Sequence, residues 1–181
     1  MRIAIAFCAL LATAGCASSQ PADAPRTAGT VDLERYQGSW YEVARLPMFF
    51  QRDCQRSEAD YRLQDDGSMA VINRCETYDG KQKQAEGRAV PQQQGRTDRL
   101  WVRFDNWFSR LLPDVAKGHY WVLFVDEDYR HALVGSPDRD NLWLLSRTPE
   151  VDAATRERLL DEARQRDYPL DELIWRGAPQ R

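Results

Sequence analysis

From Val31 onward, apolar and polar residues alternate in short runs separated by turn residues, the period of half-buried strands rather than of helices. Eight runs predict strands over about 38–47, 57–64, 68–76, 83–90, 97–104, 118–126, 129–135 and 141–147. Asp65-Asp66-Gly67 supplies a tight hairpin turn, since glycine accepts positive φ, and Tyr78-Asp79-Gly80 supplies another. Strands that follow one another without intervening helices argue an antiparallel meander, and eight can close on themselves and remove both edges. After Pro149 the period lengthens. Leu159, Leu160 and Ala163 recur at helical spacing behind Asp152, a credible N-cap, and Tyr168-Pro169 ends the run. A helix with one apolar stripe belongs against a barrel wall. The expected fold is therefore all-β: an eight-stranded antiparallel up-and-down β-barrel with one C-terminal α-helix packed outside. LDELIW, 170–175, has the pattern of a short final strand.

One residue looks misplaced in this pattern. In NLWLLSRTP, 141–149, Arg147 shares a strand face with Trp143 and Leu145, so a charge is aimed inward at the end of an apolar strand. An unpaired buried charge costs several kcal/mol or more. Its partner should lie in YQGSWYEVARLP, 36–47, because the first and last strands of a closed meander are neighbours. Trp40 offers an indole face for the guanidinium, worth roughly 0.5–2 kcal/mol, and backbone carbonyls can take its N–H groups.

These blocks resemble those of lipocalins. Gly-x-Trp-Tyr-Glu-Val-Ala-Arg at 38–45 is similar to the family's first block, with Gly38 and Trp40 in their places. Asp128-Tyr129 sits where the second block belongs, and 141–149 matches the third, whose arginine is Arg147. The run 129–149 is similar to bacterial outer-membrane lipocalins and their relatives akin to apolipoprotein D, and the resemblance spans about 31–176. It implies a barrel closed at the Trp40–Arg147 end, ligand binding in an apolar cavity, and the possibility of a homodimer.

Alternation assigns the lining of that cavity. Leu100, Val102 and Phe104 face in from the fifth strand, and Tyr120, Val122 and Phe124 from the sixth. The second strand offers Ala59, Tyr61 and Leu63, and the third Met69, Val71 and Asn73; Trp143 and Leu145 complete the set. An apolar lining with Tyr61, Asn73 and Tyr120 as polar handles suits a long acyl chain with one polar head, such as a fatty acid or a lysophospholipid. The competing reading is an envelope interaction module whose barrel is simply filled by these side chains.

The chain's beginning adds an address. Arg2 and the apolar run Ile3 to Ala12 form an export signal too short to span a bilayer, and A-T-A-G-C resembles a bacterial lipobox. On that reading residues 1–15 are a lipoprotein signal peptide, Cys16 carries the lipid, 16–30 form a flexible tether, 31–176 the barrel with its helix, and 177–181 a tail. Ala17 after the cysteine implies the outer membrane by the sorting rules of such proteins; plain secretion with cleavage nearby is the alternative. Cys54 and Cys75 then remain, flanking one hairpin in an oxidising compartment, which points to a disulfide.

Charge and motifs exclude more than they add. The chain has 181 residues with 25 basic and 28 acidic side chains, the basic ones scattered, which argues against a nucleic-acid partner. His119 and His131, the only histidines, lie on different strands without metal-ligand spacing, so no metal and no other cofactor is expected. No nucleophile elbow, phosphate-cradling loop or CxxC occurs, so no catalytic residue is assigned. An enzyme reading would rest on Cys54 or on Glu42, placed inward with Trp40 and Ala44. The connections at the open end carry Met48, Phe49 and Phe50, and further on Trp107, Phe108, Leu111 and Leu112 beside Arg110. Large apolar residues in exposed connections mark interaction surfaces, and Trp and Phe beside Arg110 are types that settle at membrane interfaces. They predict a rim that rests on lipid, the alternatives being loops folded inward as a cap or a dimer contact.

Overall fold

The computed structural model describes residues 23–105 and 117–179. A short helix α1 (Leu33–Tyr36), capped by Asp32, leads into β1 (Gly38–Arg45). Then come β2 (Cys54–Leu63), β3 (Met69–Thr77), β4 (Gln82–Pro91), β5 (Arg99–Phe104), β6 (Gly118–Val125), β7 (His131–Gly135) and β8 (Leu142–Ser146). Each strand pairs antiparallel with the next, and β1 pairs with both β8 and β2, which closes an eight-stranded barrel. Helix α2 (Ala153–Arg164) starts where Asp152 accepts from the Thr155 N–H, and β9 (Ile174–Trp175) adds to β1 on the way out. The turns at 65–67 and 78–80 hold glycines at φ 78° and 79°, where a side chain would be strained.

Two apolar layers hold the fold. Inside the barrel, Tyr36, Trp40, Tyr61, Met69, Val71, Leu100, Tyr120, Val122 and Leu145 pack together. Outside, Val43, Ala44, Leu123, Leu133, Leu142 and Leu144 pack under Leu159, Leu160 and Ala163 of α2. Two bulges make this second layer. Register shifts between Glu42 and Ala44 in β1, and between Val122 and Phe124 in β6, turn two successive residues to the same side. Val43 with Ala44, and Leu123 with Phe124, thereby join the patch beneath the helix.

The bulges correct two expectations. Phe124 does not line the cavity: it packs with the outer cluster under the Arg158 guanidinium, 5.1 Å from the ring centroid, and Val125 packs with the interior cluster instead. Ala44 likewise leaves the face of Trp40 and Glu42, and Arg45 turns inward opposite Trp143. The described part of the expected tether has a defined course. Residues 23–30 lie along the barrel, where the Ala28 N–H bonds to the Val122 carbonyl, Thr27 donates to Asp98, and Arg166 holds the Arg26 carbonyl. Ala28 and Ala24 add small apolar contacts to the inner and outer clusters, but most of the holding contacts are polar and follow no alternation.

Cys54 and Cys75 form a disulfide, Cα–Cα 5.6 Å, at the open end of the β2–β3 hairpin. It closes a loop with a sequence separation of 21, so reducing it should cost about 3 kcal/mol in the chain-entropy picture. Urea unfolding with and without reductant checks this; coincident midpoints would refute it.

Candidate functional site

The closed end is built from backbone upward. Gly38 sits at φ 87°, a conformation that a side chain would strain, while a Cβ there would only touch an Arg147 nitrogen at 3.4 Å. The Arg147 guanidinium lies 3.8 Å from the Trp40 ring centroid. Its N–H groups donate to the carbonyls of Ser39 (2.8 Å), Arg35 (3.0 Å), Tyr36 (3.2 Å) and Tyr129 (3.1 Å), while Trp40 Nε1–H donates to Tyr36 O at 2.8 Å. This answers where the inward charge goes: four carbonyls and an indole face receive it.

Above this plug lies a chain of three buried phenols. Tyr36 and Tyr120 hydroxyls are 2.9 Å apart, and Tyr120 donates to Tyr61 at 2.9 Å. Because Tyr120 spends its only proton on Tyr61, Tyr36 must donate to Tyr120, and the Tyr61 proton has no acceptor among the described residues. Burial pushes all three hydroxyls up, Tyr61 to about 12, so they are neutral donors at any ordinary pH. A void of about 10 Å³ beside them, bordered by Met69, Val71, Leu100 and Val102, has room for about one water. The floor is packed.

The upper half differs. Ala59, Asn73 and Ala85 share one inward row by register, as do Gly87 with Phe104, and Gly118 with Val102. Asn73, Val102, Phe104 and Trp143 are only half-buried and Ala85 is exposed, although all face inward; Tyr61, Leu100, Tyr120 and Val122 below them are buried. Small side chains and this gradient of exposure describe a hollow that opens upward. The Asn73 side-chain oxygen is buried there without a hydrogen-bond partner among the described residues.

A polar network seals one side of the mouth. Arg45, 1% exposed, donates to Glu42 (2.9 Å) and to the carbonyls of Gln51 (3.1 Å) and Cys54 (2.8 Å). The Gln51 amide donates to Glu42 and Ser57, and accepts from Trp143 Nε1–H at 3.1 Å. Burial raises the Glu42 carboxyl, and Arg45 and Gln51 pull it back only in part. This latch pins the 3-10 turn Phe49–Gln51 to the barrel, leaving Phe49 and Phe50 outside, 82% and 62% exposed. Alternation alone missed Tyr36, Arg45 and Gln51. The signal for Tyr36 was its place two residues before Gly38, and for Gln51 none was available.

The remaining candidates separate from the cavity. His131 pairs with Asp126 at 2.7 Å and His119 contacts Trp101 and Gln92, both on the outer side of their strands. Cys54 carries no thiol. Among the described residues no group of His, Cys, Asp or Glu could hold a metal ion. Trp107, Phe108, Arg110, Leu111 and Leu112 of the fifth connection, and Cys16, lie outside the described residues.

Comparison with known proteins agrees with this architecture. A family model described as a lipocalin-like domain matches residues 31–178. Outer membrane lipoprotein Blc of Escherichia coli (strain K12) is 36% identical over 178 residues, covering 98% of this chain and 96% of the relative. Temperature-induced lipocalin-1 of Arabidopsis thaliana is 36% identical over 146 residues, 79% of this chain and 77% of its own. Among solved structures, insecticyanin from the tobacco hornworm Manduca sexta superposes with a TM-score of 0.64 at 17% identity, covering 88% of this chain and 86% of that one.

Proposed function

Since the chain belongs to the lipocalin family, we propose that it is a non-enzymatic carrier that holds a fatty acid or lysophospholipid in the upper half of its barrel. The observation that carries this reading is the gradient of exposure along the inward face, from the buried tyrosines to the open row of Asn73, Ala85 and Phe104. An acyl chain laid there exchanges water for apolar wall. Around ten methylenes at about 0.8 kcal/mol each contribute roughly 8 kcal/mol before ordering costs, enough for micromolar affinity. The unspent Asn73 oxygen and Tyr61 hydroxyl are the handles for polar atoms of the ligand. No covalent step is required, and the disulfide removes the thiol that an enzyme reading needed. The Blc relatives are named outer membrane lipoproteins, which supports the same address here, with Cys16 as the lipid-bearing residue.

The test is mass spectrometry of lipid extracted from the protein purified out of its own envelope. A stoichiometric fatty acid or lysophospholipid is expected; absence of lipid, with no displacement of a fluorescent fatty acid, would favour a filled barrel. Ala85→Trp puts a large ring into the hollow without disturbing the packed floor. It should weaken fatty-acid binding by about 10-fold or more while leaving the thermal midpoint nearly unchanged. Equal affinity in the variant would locate the ligand elsewhere.

A further inference from the structure

The route of the N-terminal segment says which end of the barrel faces the membrane. Residues 27–32 lie at the closed end: Thr27 donates to Asp98, the Val31 N–H to Thr97, and the Asp32 N–H to the Tyr129 hydroxyl. Traced backwards, the chain leaves that end along the wall. Ala24 packs in the outer cluster with α2, and Asp23 reaches Arg139 at 3.5 Å. Arg139 belongs to the β7–β8 turn, which lies at the open end, since Trp143 at the start of β8 is opposite Arg45 at the end of β1. The first residue of β8, just past that turn, is tied to the β1–β2 connection, where the Leu46 N–H bonds to the Leu142 carbonyl. The described chain therefore begins on the mouth side, near the connection that exposes Phe49 and Phe50.

Cys16 precedes Asp23 by seven residues, which span about 25 Å at most when fully extended. A lipid on Cys16 would hold the mouth within that distance of the bilayer, with the closed end a barrel length further away. Phe49, 82% exposed, and Phe50, 62% exposed, are the large apolar side chains that the described mouth leaves in water. Exposed phenylalanines of a surface-lying segment bury at the boundary between headgroups and acyl chains. We propose that the protein docks mouth-down, with Phe49 and Phe50 seated in the membrane that carries its own anchor, so that a lipid passes between bilayer and barrel without crossing water. The orientation rests on the Cys16 anchor of the proposed function; the occupant of the phenylalanine patch is a bilayer.

The experiment uses the lipidated full-length mature protein in vesicles of phosphatidylethanolamine and phosphatidylglycerol. An environment-sensitive fluorophore is attached at Phe49→Cys or, at the closed end, at Asp65→Cys, both exposed positions. Cys54 and Cys75 are bonded to each other and do not react. Nitroxide-bearing lipids should quench the label at 49 several-fold more than the label at 65. Equal quenching, or stronger quenching at 65, in protein that floats with the vesicles would overturn the orientation while leaving the anchor intact. Failure to float would remove the anchor and the orientation with it. Self-quenching of the label at 49 without vesicles would assign the patch to a second copy of the chain and also overturn the proposal. In the unlipidated chain, Phe49→Ser with Phe50→Ser should weaken vesicle partitioning about 10-fold or more; unchanged partitioning would exclude these side chains from the contact.

Discussion

Arg147→Ala is expected to destabilise the protein by about 2–4 kcal/mol, because four backbone carbonyls lose a charged donor and the Trp40 face loses its cover. The carbonyls belong to α1, β1 and the β6–β7 turn, so one side chain ties three parts of the closed end together. Arg147→Lys keeps the charge but loses the planar fork, and should recover only part of the loss. Trp40→Phe keeps a ring under the guanidinium and gives up the bond to Tyr36 O, costing about 1 kcal/mol for the bond together with some packing volume. Urea unfolding with an unchanged m-value measures all three. A loss under 1 kcal/mol for Arg147→Ala would mean that the plug is ornamental.

Arg45→Met should cost a similar amount, about 3–5 kcal/mol near neutral pH, for a different reason. Here removal leaves the Glu42 carboxylate buried beside Gln51 without its cation. Replacing both residues, as Glu42→Gln with Arg45→Met, should recover more than half of that loss, since no charge is then stranded. The pH dependence has a definite sign. Burial raises the Glu42 carboxyl above its unfolded value, and Arg45 offsets this only in part. A group raised in this way contributes stability that is fully present below its unfolded pKa and lost as pH rises through its folded one. Without Arg45 the carboxyl rises further, so the difference between variant and parent should shrink in mildly acidic buffer. A penalty independent of pH would show that Glu42 does not titrate in the range tested.

Both sites were partly legible in the order of residues. Eight alternating runs predicted eight strands, and the misplaced Arg147 led to Trp40 because any closed meander brings its first and last strands together. The disulfide followed from a hairpin and two remaining cysteines. The failures share one cause. A β-bulge inserts a residue without altering composition, and from that point every side chain changes face. Phe124 moved outside and Arg45 inside for this reason, and each error began at one residue, 123 or 43, that looks like any other apolar strand position. Gln51 lay in a connection, where no period assigns a face.

By itself the sequence determined what local rules can write: strand and helix periods, turn glycines, the N-cap at Asp152, and the pairing demanded by one inward arginine. Tertiary structure decided the rest. Only closure of the sheet brings Tyr36, Tyr120 and Tyr61 into one chain of hydroxyls from places up to 84 residues apart. The curvature that closure requires introduces the bulges, and these choose which residues see the hollow and which see the helix. The course of residues 23–30 was decided in the same way. Their partners, Asp98, Val122, Arg139 and Arg166, are scattered along the chain and meet only once the barrel stands.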